Sequence, residues 1–142
     1  MRWSARHGLN KSGHPYETPP PGSRNHRDFE LRVEAVPEVR EFVRDALAGS
    51  PLTDDVTLIA SELASNVVRH AQTEFTVSVA LHDVVRLEVS DGSSIIPAVE
   101  ELSESYRGLR LVQAAADDWG IELTKTGKKV WVEFPSTPRR RV

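Results

Sequence analysis

The residues with the clearest chemical potential lie in one run, Leu58-Ile59-Ala60-Ser61-Glu62-Leu63-Ala64-Ser65-Asn66-Val67-Val68-Arg69-His70-Ala71. Glu62 and Asn66 are four residues apart, so on a helix one stands above the other. Val56, Ile59, Ala60, Leu63 and Val67 recur at helical spacing and form an apolar stripe. At about 100° per residue, Glu62 and Asn66 fall just beside that stripe and Arg69 continues their row. A carboxylate, an amide and a guanidinium then line the rim where a buried face meets solvent, a suitable place for a site. The alternative is a surface helix whose polar residues merely border the core. His70 projects near the middle of the stripe and is expected to be a hydrogen-bonded core histidine rather than a catalytic one. A second candidate, Asp91-Gly92-Ser93-Ser94, directly follows a strand-like pattern, and loops after strands are where sites tend to be built. A third is Gly108, which precedes Leu109, Leu111, Val112, Ala115 and Ala116 at helical spacing. Free backbone N–H groups at that helix start are suited to holding an anion.

These residues need a fold around them. A chain of 142 residues, 39% hydrophobic and 27% charged, suits one domain with one core. No apolar run approaches the roughly 18 residues that span a membrane. No apolar segment follows the first basic residues, so a secretory signal is not expected. The absence of cysteine excludes disulfides and thiolate chemistry and fits a reducing, cytoplasmic setting. His7, His14, His26, His70 and His82 show no metal-ligand spacing, which argues against structural zinc. Residues 1–27 carry a net charge of +4, leaving −7 on the remainder of a chain whose total is −3. An acidic body with basic ends argues against direct nucleic-acid binding.

Residues 1–27 hold Pro15, Pro19, Pro20, Pro21 and three glycines among few apolar residues, so a disordered basic tail is expected there. Phe29, Leu31 and Val33 alternate with charged residues and predict a strand. Pro37 suits the first turn of a helix whose apolar side is Val36, Val39, Phe42, Val43, Ala46 and Leu47, ended by Gly49 and Pro51. Thr53 or Asp54 is the expected cap of the Glu62/Asn66 helix. Phe75, Val77, Val79 and Leu81, a turn at His82-Asp83, and Val85, Leu87 and Val89 predict a hairpin. Trp119, Ile121 and Leu123, a turn at Lys125-Thr126-Gly127-Lys128, and Val130, Trp131, Val132 and Phe134 predict another, closed by Pro135. The order β-α-α-β-β-α-β-β implies an α/β two-layer sandwich, with helices on one face of a mixed, mostly antiparallel sheet. It excludes a doubly wound dinucleotide fold, and neither GxGxxG nor GxxxxGK[ST] is present. The ordered domain is expected over 28–135, with 136–142 a second basic tail.

Taken in order, Glu62-Leu63-Ala64-Ser65-Asn66, Asp91-Gly92, Arg107-Gly108-Leu109 and Gly127-Lys128-Lys129-Val130-Trp131 resemble the boxes of the ATP-binding (Bergerat) domain of gyrase B, heat-shock chaperone ATPases, sensor histidine kinases and mismatch-repair ATPases. Within that group the chain looks most like the small stand-alone anti-sigma-factor serine kinases. The resemblance spans nearly all of 28–135.

It implies roles residue by residue. Asn66 would hold Mg²⁺ through its amide oxygen, bridging the phosphates of ATP. Glu62 would act as general base on the attacking hydroxyl. Asp91 would accept a hydrogen bond from the adenine amine, and Gly92 would let the backbone pass close to the base. Gly108 and Leu109 would close the lid over the phosphates, with Arg107 or Arg110 adding charge unless these are solvated side chains. Gly127 would sit near the sugar and adenine pocket. The implied partners are a sigma factor and an anti-sigma antagonist protein that receives the phosphoryl group, and a homodimer is implied. Two boxes depart from the usual pattern. The usual D-x-G-x-G reads Asp91-Gly92-Ser93-Ser94-Ile95, and Tyr106 replaces the first lid glycine. These departures leave open a non-catalytic module that works by partner binding, with ATP as a structural ligand or absent.

Overall fold

The computed structural model describes residues 23–95 and 116–135. Five strands, β1 (Ser23–Phe29), β2 (Phe75–Leu81), β3 (Val84–Asp91), β4 (Asp118–Leu123) and β5 (Lys128–Pro135), form one sheet in the order β1-β2-β3-β5-β4. Every pairing is antiparallel. Two helices, α1 (Ala35–Ala46) and α2 (Thr53–Asn66), pack on one face, which makes the two-layer α/β sandwich that the strand and helix order implies. The helix expected after Gly108 lies outside the described residues.

Period-two alternation decides which side chains face the helices. Val85, Leu87 and Val89 of β3 stand opposite Phe134, Val132 and Val130 of β5, and all six are buried. Val77 and Val79 continue the layer on β2. The helices meet it with Val39, Val43 and Leu47 from α1 and with Val56, Ile59, Ala60 and Leu63 from α2. At one end Phe29 stacks on Phe75 at 5.4 Å and meets Phe42 edge-on at 6.1 Å, so β1, β2 and α1 converge on three rings. Between the helices, Gly49 ends α1 at φ +84°, a left-handed conformation that glycine adopts without strain.

Two local expectations are corrected. The first strand is Ser23–Phe29, not the alternating run Phe29–Val33, so residues 23–27 belong to the sheet. Leu31 and Val33 are exposed and lie in the turn before α1. The reason is that β1 is an edge strand held by backbone pairing to β2. Residues 24–28 are exposed and need no apolar alternation. The second correction concerns the start of α2, where the flanking residue is Leu52 and no side chain caps the helix. The Thr53 hydroxyl instead lies 2.7 Å from the Ser50 carbonyl and 2.9 Å from that of Leu47, tying down the preceding turn.

On the sheet's other face, Arg86 covers Trp131 with its guanidinium 4.8 Å from the ring, and Trp131 is buried. Arg86 donates to Glu88 at 2.7 Å and to Glu133 at 3.1 Å. Burial alone would push the guanidinium's pKa down, but bonding to and charge from Glu88, then Glu133, outweigh it and hold the pKa above the ordinary value. The Arg86 guanidinium therefore keeps its charge. Arg86→Ala removes the partner of two shielded carboxylates and uncovers a tryptophan. It should lower unfolding free energy in urea by about 3 kcal/mol. The rim residue Lys129, 3.7 Å from Glu88, should change stability by less than about 0.5 kcal/mol when replaced by Ala.

Candidate functional site

The stripe predicted on α2 is the stripe that is buried: Val56, Ile59, Ala60, Leu63 and Val67 are each at most 6% exposed. Burying that face turns Asn66, the last residue of α2, toward the sheet. The chain then widens into a π-helical turn, Val67–Ala71, closed by the Gln72 N–H on the Val67 carbonyl at 2.8 Å. Gln72 ends it in the left-handed conformation at φ +55°. Between this helix end and the sheet lies a hollow of about 410 Å³ including its solvent-open mouth. Its walls are Leu63, Asn66, Val67, His70 and Ala71 on the helical side and Val89, Asp91, Ile121, Lys128 and Val130 on the sheet side.

Two polar atoms in that wall lack partners. Asn66 Oδ1 and His70 Nε2 are buried and make no hydrogen bond among the described residues. A buried amide oxygen left unpaired costs about 1–3 kcal/mol, a cost that a water or a ligand paired with it would offset. His70, expected as a hydrogen-bonded core histidine, is half-buried on this wall, and its Nε2 makes no hydrogen bond among the described residues. Asn66 Oδ1 is a hard oxygen, the donor type that Mg²⁺ prefers. Among the described residues no group of three or more His, Asp or Glu is placed to hold a metal. A Mg²⁺ there would therefore rest on Asn66 together with phosphate oxygens and water.

Asp91 closes the sheet side. It is the last residue of β3, inward-facing and 7% exposed. Its Oδ1 accepts from the Ser93 N–H at 2.8 Å and from Lys128 Nζ at 3.1 Å. The same ammonium reaches the Ser93 carbonyl at 3.2 Å. Gly127 is packed onto this loop so tightly that a Cβ would stand 2.0 Å from the Asp91 carbonyl oxygen and 2.8 Å from Gly92 Cα. The Gly92 N–H donates to Thr73 Oγ1 at 2.9 Å, and a Cβ on Gly92 would meet Thr73 at an ordinary 3.5 Å. The protein's own packing thus does not require glycine at 92. Gly92→Ala should shift stability by less than about 0.5 kcal/mol. A loss of ligand affinity in that variant, read by calorimetry against an unchanged melting curve, then reports how closely a ligand approaches this backbone.

The fold therefore brings Asn66 and Asp91 to one hollow and sets Gly92 and Gly127 beside it. Glu62, one turn before Asn66 on α2, is half-buried and is not part of that wall. Arg69, expected to continue the row, is exposed, and His70 takes the place next to Asn66. Arg107, Gly108 and Leu109, with Tyr106 and Arg110, lie outside the described residues. Lys128 was not singled out from the sequence, although its phase could have revealed it. It shares the inward parity of Val130, Val132 and Phe134, and a lysine at a core position must find a partner.

Among the described residues no helix is long and apolar enough to cross a membrane. Comparison with curated proteins returns no match. Comparison with protein-family models matches residues 29–134 to the histidine kinase-like ATPase domain, a family whose description implies ATP binding. That match takes in both helices, the last four strands and the hollow between them, well over half of the chain, and so the chain belongs to the histidine kinase-like ATPase domain family.

Proposed function

We propose that this protein is an ATP-binding regulator that phosphorylates a serine or threonine of an anti-sigma antagonist protein and sequesters a sigma factor when that antagonist is unavailable. The observation that carries the nucleotide part is the unpartnered Asn66 Oδ1 on a wall shared with the Asp91 carboxylate. Asn66 would hold Mg²⁺ at the phosphates and Asp91 would receive the adenine amine, while the glycine pair 92 and 127 keeps the base loop thin. Mg²⁺, when bound, supplies charge neutralisation at the phosphates. In transfer, Glu62 takes the proton of the attacking hydroxyl, that oxygen bonds to the γ-phosphorus, and the bridge to ADP breaks. The resemblance of the SELASNVVRHA and RGLRLVQAAADDWGIE segments to stand-alone anti-sigma-factor kinases supports the partner class and a homodimer.

The test is phosphoryl transfer from γ-labelled Mg-ATP to candidate antagonist proteins. Labelling of an antagonist by the wild type, abolished in Glu62→Ala with ATP affinity kept within about threefold, is the expected result. No transfer from nucleotide-bound protein to any candidate would overturn the kinase assignment.

A second function class, a binding module without turnover, is favoured by one observation: Glu62 is absent from the wall that Asn66 and Asp91 share. Under that alternative, Asn66→Ala removes ATP binding and leaves capture of the sigma factor intact.

A further inference from the structure

Strand β1 ends the sheet. Its seven residues pair one-to-one with β2, and among the described residues no strand lies on its other side. The pairing is unbroken, so no bulge twists the edge away, and the strand contains no proline. Such an edge presents a row of backbone donors and acceptors to any further strand. Charge is what limits the strand that can add there. Arg24, His26 and Asp28 alternate onto the face away from the helices, and all three are exposed. Their opposites on β2 are Ala80, Ser78 and Thr76, so Arg24 meets no counter-charge across the ladder. Arg24 and Asp28 of one chain are about 13 Å apart along the strand, too far to pair with each other. The Asp28 carboxylate is held on its face by the Thr76 hydroxyl, which donates to Oδ1 at 2.6 Å.

We propose that the β1 edge is a self-association surface, and that its partner is β1 of a second copy of this chain, antiparallel about a two-fold axis at His26. This names a surface for the homodimer proposed above and depends on no bound nucleotide. A two-fold axis perpendicular to the sheet keeps both helix layers on one side and pairs positions of like parity. Centred on His26, it uses all seven strand positions. It sets Arg24 of each copy against Asp28 of the other, and Asn25 against Arg27. Opposite charges facing each other across a ladder stabilise it, and like charges destabilise it. Moving the axis to Arg27 opposes that guanidinium to its own copy. Moving it to Asn25 faces Arg24 with His26 and leaves Asp28 outside the paired stretch. Either shift also shortens the pairing, so length and charge select the same register. A strand of another protein would have to carry this charge order in reverse, which an antiparallel copy of β1 supplies by itself.

The experiment is cysteine cross-linking in the whole chain, which has no cysteine of its own. In His26→Cys the two thiols stand directly opposite at a Cα separation of about 4.5–5.5 Å, within disulfide reach. Mild oxidation should convert most of that variant to covalent dimer. Arg24→Cys alone should stay uncross-linked, because its two copies lie about 13 Å apart along the strands. An equimolar mixture of Arg24→Cys and Asp28→Cys should cross-link. Sedimentation of the wild type at low salt and about 100 µM should show a dimer. Its dissociation constant should rise at least about tenfold in Arg24→Asp and return to within about threefold in Arg24→Asp/Asp28→Arg. A monomeric wild type at that concentration, the result if a different protein's strand occupies the edge, overturns the proposal. So does a dimer in which His26→Cys cross-links no better than Arg24→Cys, which places the homodimer on another surface. Neither outcome touches the nucleotide reading, which phosphoryl transfer tests separately. Circular dichroism confirms each variant's fold, and should His26→Cys fail to fold, the mixed pair decides.

Discussion

Asn66→Ala is expected to weaken Mg-ATP binding by about 100-fold or more while leaving the melting temperature almost unchanged. The two halves of that result have different physical origins. The amide oxygen is buried and makes no hydrogen bond among the described residues, so without a ligand it contributes desolvation cost and no compensating bond from them. Truncation removes that cost and forfeits some packing against the hollow, for a net change within about 1 kcal/mol in either direction. In the bound state the same oxygen would be a metal ligand, and each tenfold in affinity corresponds to about 1.4 kcal/mol. Calorimetry gives the first number and thermal melting the second. A variant that binds Mg-ATP as the wild type does, or that loses several kcal/mol of stability with no ligand present, contradicts the assigned role.

Gly127→Ala is expected to have the largest effect on the fold near the site, about 3 kcal/mol of lost stability or roughly 10 °C in melting temperature. The added methyl carbon would stand 2.0 Å from the Asp91 carbonyl oxygen and 2.8 Å from both Gly92 Cα and its carbonyl carbon. These are backbone atoms in the strand-end pairing of β3 with β5, so no side chain can swing away to relieve the contact. Relief requires the Asp91–Gly92 loop to move, which carries Asp91 off the hollow. The variant should therefore lose nucleotide affinity in proportion to how far that loop shifts, even where it remains folded. A melting temperature within 2 °C of the wild type would show that the β3–β5 end is soft rather than tightly packed.

Much of the positioning was legible in residue order. The α2 stripe was, because helix periodicity and burial are the same fact when a helix lies flat on a sheet. The two C-terminal hairpin partners and the β2–β3 hairpin were, because the apolar residues that face the helices recur at every second position. Strand β1 was not, because an edge strand pairs through its backbone and its exposed residues Arg24–Asp28 carry no hydrophobic signal. Leu31 and Val33 imitated that signal and lie exposed in a turn. The start of α2 was also misassigned, because Thr53 bonds to carbonyls of the turn behind it and not to its own helix.

By itself the chain's pattern of residues determined α1, α2 and the strands from β2 to β5, the two-layer class, and the four-residue spacing that stacks Glu62 above Asn66. Local periodicity is enough to specify which side of an element is dry. Which of those side chains share a wall was decided only by the tertiary structure. Antiparallel registry of β3 with β5 sets Lys128 against Asp91, and the packing of α2 on the sheet brings Asn66 and His70 to the same hollow while leaving Glu62 off its wall. The physical reason is that a charge pair or an unpartnered amide is defined by what comes to face it across a sheet or a layer. That neighbour sits 37 residues away for Lys128 and Asp91, a distance over which no sequence period carries information.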